Sequence, residues 1–344
     1  MQRAFCLCFL ALAPATGSAA GVSAPLTLLP SDTLGRCLDG TPSGFYYLPG
    51  TDSKKWTVTL FGGGECGDEA SCKSRLSSDL GSSKYFAKSV SFDSGSHFAN
   101  PDVAQNPGFG SWNHVQVPYC SQDLHMGTRT TAGSDTWGLY FSGHLALNAT
   151  LAELDRLGLA GATDILLTGD SAGGIGTWPN LDWLASRYKG ARVSGAPLAG
   201  MYFFSFPYTG PNHTSSILAS FSPDGMDTLY ALYQPFLNEG CVAAYTSRGA
   251  SPSPCMLSNY SQPFVQSPVF VTEAQTDSVQ LEDHDQIPPT DVKDAPELAY
   301  IAQWSANMTI ALRDKLDVTN KRDGVFFPLV PSPPPPHPHP CTPP

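Results

Sequence analysis

The stretch around Ser171 has the residue types that a serine nucleophile needs. An apolar run that begins at Asp164 ends in Gly169-Asp170-Ser171-Ala172-Gly173, and a helix-like segment follows. A strand, a Gly-x-Ser-x-Gly turn and a helix form a nucleophile elbow, in which small flanking residues let the strand and the helix approach each other. The amides at the start of the helix favour developing negative charge. The pattern predicts that Ser171 attacks a carbonyl carbon, and an inert serine in a glycine turn is the alternative.

A second stretch supplies donors for the oxyanion that such an attack creates. The backbone N–H of Ala172, directly after the nucleophile, is the first donor that this type of site uses. The second donor is expected on a loop after an earlier strand, and Gly62 to Gly64 follow the apolar run from Trp56 to Phe61. Glycine lets backbone amides come close to a substrate oxygen. A phosphate-binding loop is disfavoured because no Lys-Ser or Lys-Thr pair follows the glycines.

The acid and the base of a triad should follow the nucleophile in the order Ser, Asp, His. The apolar run VFVTEAQTD leads to Asp277, with Glu273 as a competitor, and either would serve by position. The histidines after Asp277 are His284, His337 and His339. His284 lies in the polar stretch LEDHDQ and is expected to be an exposed loop residue. The other two lie in a proline run without an anchor, so no triad histidine is identifiable.

Apolar strand-like and amphipathic helix-like segments alternate along the chain, which predicts an α/β fold with a mostly parallel sheet flanked by helices. His114, His125 and His144 are expected to be structural or surface residues, with His125 on a loop that borders the pocket. The aromatic stretch Met201 to Pro211 is expected to pack in the core, with an acyl- or sugar-facing wall as the alternative. The predicted strands are Trp56–Phe61, His114–Val117, Asp164–Thr168, Pro268–Thr272 and Val325–Phe327, and the predicted helices are Ser142–Leu157, Ile175–Tyr188 and Leu298–Leu316.

The N-terminal sequence and the overall composition indicate an exported protein. Residues 1–20 have a basic residue, a short apolar run and small residues, as in a secretory signal peptide. No later segment has transmembrane length. The formal net charge of −11, without a cluster of Lys or Arg, excludes nucleic acid as an expected partner. Export also predicts N-glycosylation at the Asn-x-Ser/Thr sequences, which lie at Asn148, Asn212, Asn259 and Asn307.

One domain is expected over residues 21–328, followed by a proline-rich tail at 329–344 that cannot form a helix or a central strand. The chain has nine cysteines, and removal of Cys6 and Cys8 with the signal peptide leaves an odd number, seven. An odd number in an oxidising compartment leaves one thiol without an intramolecular partner. No cysteine and histidine spacing resembles a zinc site, so neither a metal nor another cofactor is expected.

Four stretches together resemble the pectin acetylesterase and Notum family of secreted serine carboxylesterases. They are WTVTLFGGGECGDEASC, FGSWNHVQVPYCSQDLHMG, LLTGDSAGGIGTWPNLDWL and VFVTEAQTDSVQL. The resemblance implies an α/β-hydrolase-like single domain with Ser171 as the nucleophile and Asp277, rather than Glu273, as the acid. It further implies that Gly63 and Ala172 are the oxyanion donors, with Gly64 as another candidate. The disulfide implied by the family is Cys66 with Cys72, and the further expected pairs are Cys37 with Cys120 and Cys241 with Cys255.

The family resemblance also implies a substrate class. Acetyl esters on cell-wall pectin are the first expectation, so the partner is an acylated polysaccharide. An acylated protein, as for Notum, is the second, and a noncatalytic carbohydrate-binding relative is the third. The family's histidine follows the last core strand, whereas here the chain continues from Pro328 into LVPSPPPPHPHPC. We hypothesise that the chain diverges there because its end is truncated or mispredicted, rather than because the tail has a new function.

Overall fold

Nine strands form one sheet within the residues that the computed structural model describes, which are 21–216, 218–290, 293–316 and 322–328. The predicted signal peptide and the proline-rich tail lie outside the described residues. The strands, in chain order, are β1 (Val22–Leu28), β2 (Gly44–Leu48), β3 (Asp52–Leu60), β4 (Ser89–Phe92), β5 (Trp112–Val117), β6 (Asp164–Asp170), β7 (Arg192–Leu198), β8 (Phe270–Thr272) and β9 (Gly324–Phe326).

The sheet has the order β4-β1-β2-β5-β3-β6-β7-β8-β9. Neighbouring strands in the run β5-β3-β6-β7-β8-β9 pair in parallel. At the other end of the sheet, the pairs β4–β1, β1–β2 and β2–β5 are antiparallel. The helices are α1 (Glu69–Ser74), α2 (Gly143–Arg156), α3 (Ala172–Arg187), α4 (Pro223–Tyr233), α5 (Glu239–Thr246), α6 (Ser258–Ser261) and α7 (Ala295–Lys315). The predicted fold, a mostly parallel sheet flanked by helices, is confirmed.

Continuous apolar runs in the central strands explain why the core forms where it does. Six of the seven residues of β6 are buried, as is typical of a parallel strand covered on both faces. Helix α2 buries Leu147, Leu151 and Leu154, which share one face at spacings of four and three residues. These leucines belong to the same apolar cluster as Trp178 of α3. The core therefore fixes the ends of β3 and β6, from which the candidate site is built.

The predicted strands correspond to β3, β5, β6, β8 and β9, and the predicted helices correspond to α2, α3 and α7. The sequence analysis did not predict β1, β2, β4 and β7, or the helices α1, α4, α5 and α6. Strand β7 lies inside the sheet, between β6 and β8, but its sequence RVSGAPL contains Gly195 and Pro197, which weaken any local strand signal. Its formation depends on pairing with β6 on one side and β8 on the other.

Three disulfides connect the described cysteines in the pairs that the sequence analysis expected. Cys37 bonds to Cys120, Cys66 bonds to Cys72, and Cys241 bonds to Cys255. The seventh cysteine of the expected mature chain, Cys341, lies outside the described residues. In the described part of the chain, no helix combines the length and the apolar character that crossing a bilayer requires.

Candidate active site

Ser171 occupies a sharp turn between β6 and α3. Its backbone has φ 53° and ψ −122°, a conformation that is rare for a residue with a side chain. Its N–H donates to the carbonyl oxygen of Leu198 on β7, over 3.0 Å. A Cβ atom on Gly173 would lie 2.1 Å from the Leu60 carbonyl oxygen, and one on Gly169 would lie 2.6 Å from the backbone of Gly173. Both glycines are therefore required sterically, as in a nucleophile elbow.

The side chain of Ser171 is half-buried, and its Oγ has no hydrogen-bond partner among the described residues. Ala172 is the first residue of α3, so its N–H has no acceptor within the helix. The hydroxyl and this amide are thus both available to an incoming group. The helix N-terminus adds a partial positive charge at the same place.

The loop Gly62–Gly64 lies directly against the elbow. A Cβ atom on Gly62 would lie 3.0 Å from the Cβ of Ser171. Gly63 and Gly64 have φ values of 145° and 71°, which favour glycine. Within the described ranges, neither the Gly63 N–H nor the Gly64 N–H donates a hydrogen bond. The loop therefore brings unpaired amides next to the hydroxyl of Ser171.

Glu65 anchors the end of this loop, and sequence analysis did not identify it. The side chain is buried, and its Oε1 accepts the N–H of Ala219 over 2.8 Å. Loss of hydration on burial raises the Glu65 pKa to about 8. The next residue, Cys66, is held by its disulfide, and its carbonyl oxygen accepts the Tyr233 hydroxyl over 2.7 Å. The sequence signal that could have identified Glu65 is the acidic residue between glycine and cysteine in GGGEC.

The loop after β5 supports the glycine loop from the other side. Gln122, Leu124 and His125 all have positive φ, between 52° and 58°, so this backbone is strained. The ring of His125 is buried, and its Nε2 donates to the Phe61 carbonyl oxygen over 2.8 Å, since a carbonyl only accepts. Burial lowers the His125 pKa to about 4, so the ring is neutral at pH 7. His125 thus fixes the residue that precedes Gly62.

His114 and His144 are also buried and paired. The Nδ1 of His114 is 2.7 Å from the Thr57 hydroxyl, and the Nδ1 of His144 is 2.7 Å from the side-chain oxygen of Asn180. Both contacts are internal to the core. The structure thus gives these two histidines the structural role that the sequence analysis expected.

Glu273 and Asp277 follow β8, on the far side of β7 from the elbow. Both side chains are buried. The Oδ1 of Asp277 accepts the N–H of Gln280 over 2.9 Å, and the Oε2 of Glu273 accepts the N–H of Met201 over 2.8 Å. Burial is the main cause that raises the pKa of each carboxyl group. The acid loop therefore holds two interacting carboxyl groups at the same sheet edge as Ser171.

The expectation that His284 is an exposed loop residue is wrong. His284 ends a single π-helical turn, Val279–His284, and only 3% of its surface is exposed. Its Nδ1 donates to the carbonyl oxygen of Ala219 over 2.9 Å, and its ring lies 4.4 Å from that of Phe221. The polar sequence LEDHDQ did not reveal this, because a segment distant in sequence covers the ring. Since Nδ1–H is directed at Ala219, Asp277 does not orient this histidine.

The chain after β9 passes beside the acid loop. The N–H of Gln275 donates to the carbonyl oxygen of Pro328, and its side-chain Nε2 donates to that of Phe327, both over 3.1 Å. Gln275 is two residues before Asp277. Among the described residues, no histidine nitrogen bonds to Asp277. His337 and His339 lie outside the described residues.

Asp170 places a negative charge beside the nucleophile. The residue is open to solvent, although the surrounding protein removes part of its hydration and raises its pKa. Attraction to His97 opposes this rise in pKa, and His97 itself has a strained backbone with φ 49°.

In the part of the chain that the structure describes, no three His, Cys, Asp or Glu side chains come together as metal ligands would.

Comparison with known proteins agrees with this geometry. The profile of the family described as pectinacetylesterase matches residues 18–328. The chain belongs to the pectinacetylesterase family. Pectin acetylesterase 5 of Arabidopsis thaliana is 31% identical over 248 residues, which are 72% of this chain and 55% of that protein. The palmitoleoyl-protein carboxylesterase NOTUM of Drosophila melanogaster is 32% identical over 295 residues, which are 82% of this chain and 40% of that protein.

The solved structures give the same result for the fold. The crystal structure of the Wnt deacylase Notum from Drosophila superposes with a TM-score of 0.75 at 28% identity, over 89% of this chain and 84% of that one. The α/β-hydrolase-like fold of this pectinacetylesterase family member is therefore confirmed. The chain spans about half the length of the curated relatives that it matches.

The predicted glycosylation sites differ in their exposure in this family member. Asn148, Asn212 and Asn307 are exposed, whereas Asn259 is half-buried. In the aromatic stretch from Met201 to Pro211, most large side chains are buried, as core packing predicts. Phe204 is half-buried, and Phe206 is 66% exposed and borders a surface pocket of about 150 Å³.

Proposed function

We propose that this protein is a serine carboxylesterase with Ser171 as its nucleophile. The observation that carries the proposal is the contact between the glycine loop and the elbow, where a Cβ on Gly62 would lie 3.0 Å from the Cβ of Ser171. This contact supports a site in which the amides of Gly63, Gly64 and Ala172 stabilise an oxyanion formed at the Ser171 hydroxyl. Family membership and the carboxylesterase names of the relatives support the same reaction class.

The proposed reaction has two steps through an acyl-enzyme. The Oγ of Ser171 attacks the ester carbonyl carbon, its proton passes to a general base, and the carbonyl oxygen becomes an oxyanion. Gly63 and Ala172 donate to this oxyanion, with Gly64 as a further donor. Collapse of the intermediate expels the protonated alcohol, and water then releases the acid. Asp277 is assigned to orient the general base, for which the sequence identifies no histidine.

The proposed substrate is an acylated polysaccharide, with acetyl groups on pectin as the first choice. Two leucines cover the glycine loop: a Cβ on Gly63 would lie 2.4 Å from a methyl of Leu80, and one on Gly64 would lie 2.7 Å from a methyl of Leu218. Side chains that fill the space beside the oxyanion donors support a short acyl group. Removal of a longer acyl group from a protein is the second proposal, supported by the name of the NOTUM relatives.

We also propose that the protein is secreted to the cell wall or extracellular space after removal of residues 1–20. Three disulfides support an oxidising compartment. Three exposed sequons, at Asn148, Asn212 and Asn307, support N-glycosylation, and Asn259 remains the fourth proposed site. The proposed mature protein is one domain over residues 21–328 followed by a proline-rich tail at 329–344.

A noncatalytic carbohydrate-binding protein is the second candidate from a different class. The observation that favours it is that no histidine among the described residues bonds to Asp277. The experiment that separates the two is hydrolysis of p-nitrophenyl acetate and of acetylated pectin by the purified full chain. The Ser171→Ala variant should lose turnover of both substrates. Ser186→Ala, which changes an exposed serine of α3, should retain it, and equal rates for wild type and Ser171→Ala contradict the esterase proposal.

A further inference from the structure

Two buried carboxyl groups stand four residues apart on the acid loop, and only one of them has a part in the proposed reaction. Glu273 is 1% exposed and Asp277 is 7% exposed. Neither carboxyl group has an ion-pair partner within the described ranges. An unpaired buried carboxylate is costly, so such a group neutralises or forms strong hydrogen bonds. The hydrogen bonds around Glu273 must therefore account for how this buried carboxyl group is stabilised without a cation.

The two carboxyl groups belong to a closed ring of hydrogen bonds. The N–H of Met201 donates to the Oε2 of Glu273 over 2.8 Å, and the N–H of Gln280 donates to the Oδ1 of Asp277 over 2.9 Å. The ring continues because the Nε2 of Gln280 donates to the carbonyl oxygen of Met201 over 3.2 Å. The Oε1 of Glu273 also accepts the N–H of Ala274 over 3.1 Å. The ring closes where the side chains of Glu273 and Asp277 come within hydrogen-bonding reach of each other.

A hydrogen bond across this contact between Glu273 and Asp277 requires a proton on one of the two groups. Two ionised carboxylates have only acceptor oxygens, so one of the two groups must be protonated to donate. Burial first, and then the charge of Asp277, raise the pKa of Glu273 well above its ordinary value. Burial also raises the Asp277 pKa, but the hydrogen bond from Glu273 acts against that rise. Glu273 is therefore the neutral donor and Asp277 the ionised acceptor.

The other ionisable groups around the pair do not supply a cation. Tyr202, from the segment after β7, lies within electrostatic range of both carboxyl groups, as its raised pKa records. Glu65 of the glycine loop and Asp283 of the π-helical turn act on the same tyrosine. All three are acidic or neutral, so they add no attraction that would ionise Glu273.

We propose that Glu273 is a positioning residue whose neutral carboxyl group donates a hydrogen bond to Asp277 and so keeps the Asp277 carboxylate fixed for the general base. The inference rests on the proposed function, because it assigns a partner to the proposed triad acid. A merely structural role would leave the ionisation of Asp277 unchanged. Hydrogen bonds to a charged carboxylate are stronger than neutral ones, which makes such a donor effective.

Two substitutions separate these roles. Glu273→Gln keeps the shape and supplies an amide donor, so kcat should stay within about threefold of wild type. Glu273→Leu removes the donor, so kcat should fall tenfold or more with KM unchanged. Because the charged form of Asp277 then loses a hydrogen bond, its pKa rises and the acidic limb of the kcat profile moves to higher pH. Asp285→Asn, a matched change of a buried carboxyl outside this ring, should leave kcat and that limb unchanged.

Infrared difference spectroscopy tests the proton itself, independently of turnover. The carbonyl stretch of a protonated carboxylic acid at neutral pH should be lost in Glu273→Gln and retained in Ser171→Ala. A spectrum without that loss overturns the proposal while leaving the esterase function intact. Wild-type kcat and an unmoved acidic limb in Glu273→Leu also overturn it. Equal turnover by wild type and Ser171→Ala overturns the positioning role together with the proposed function.

Discussion

The carbonyl oxygen of Leu60, the last residue of β3, occupies the space beside Gly173 in the first turn of α3, where an added Cβ would lie 2.1 Å from it. This close approach brings the end of β3 against the helix that starts at the elbow. The chain that leaves Leu60 becomes the loop Gly62–Gly64, so one steric contact determines how near that loop lies to Ser171. Backbone packing at this point, rather than a side-chain contact, builds the candidate oxyanion site.

Gly173→Ala should destabilise the protein and misplace the elbow. The added methyl group meets backbone, which cannot move aside as a flexible side chain would. Overpacking of this kind lowers the free energy of unfolding by about 1–3 kcal/mol, and sometimes by more. Urea denaturation measures the change, and Gly190→Ala is the control because a Cβ there would meet nothing within 4 Å. Equal losses for both variants contradict the steric role of Gly173.

The three disulfides should differ in what they stabilise. In the loop-entropy description, the bond Cys37–Cys120, with a sequence separation of 83, contributes about 4–5 kcal/mol. Cys66–Cys72, with a separation of 6, contributes about 2 kcal/mol. The double alanine variant at Cys37 and Cys120 should therefore have the larger loss in free energy of unfolding.

Activity should depend on the Cys66–Cys72 disulfide more than its short loop suggests, because Cys66 directly follows the glycine loop and Glu65. The Cys66 and Cys72 double alanine variant should lose more turnover of p-nitrophenyl acetate than the Cys241 and Cys255 variant. Rates are compared at a temperature where circular dichroism shows each variant to be folded. The idea fails when the Cys66 and Cys72 variant keeps wild-type turnover.

Glu65 should make the stability of the protein fall as pH rises. Its pKa is about 8 in the folded protein, against an ordinary value of 4.5. Between these values the folded state holds a proton that the unfolded state releases, so the free energy of unfolding decreases as pH rises. The slope for one such group is about 1.4 kcal/mol per pH unit.

Glu65→Gln removes this titration and keeps an oxygen for the Ala219 N–H. The variant's free energy of unfolding, measured in urea from about pH 5 to about pH 8, should decline less steeply than that of wild type. Glu69→Gln, a change of an exposed residue of α1, should follow the wild-type slope. Parallel curves for wild type and Glu65→Gln contradict a buried, protonated Glu65.

Sequence alone predicted those parts of the site that depend on local patterns. The elbow at Ser171 and the loop at Gly62 follow apolar runs of strand length, and glycine is required there by contacts within a few residues of the motif or with the adjacent strand. The loop after β5 could not be predicted, because positive φ at Gln122 and His125 is imposed by packing against distant segments. His284 was misjudged for the same reason, since its cover comes from Ala219 and Phe221.

The strands at the antiparallel edge were missed on different grounds. Strand β1 is largely exposed, with a burial pattern that does not alternate regularly. Its pairing with β2 and β4 comes from residues well separated in sequence. A strand that forms through such long-range pairing needs little periodicity of apolar residues in its own sequence, so the sequence does not predict it. Apart from β7, the parallel part of the sheet was therefore more predictable than its antiparallel edge.

Asp170→Asn should accelerate the proposed reaction. Asp170 precedes the nucleophile, is open to solvent, and has a carboxyl group that contacts Gly62 at the start of the proposed oxyanion loop. An opposing charge a few ångströms away in a partly solvated site costs on the order of 1 kcal/mol, so kcat/KM should rise by roughly two- to tenfold. Because salt screens exposed charges, the wild-type rate should increase with ionic strength and the variant's rate should not. Asp224→Asn makes the same charge change on the exposed first turn of α4 and should leave kcat/KM and its salt dependence unchanged. An equal or slower rate for Asp170→Asn would show that its carboxylate contributes to the site instead of opposing the oxyanion.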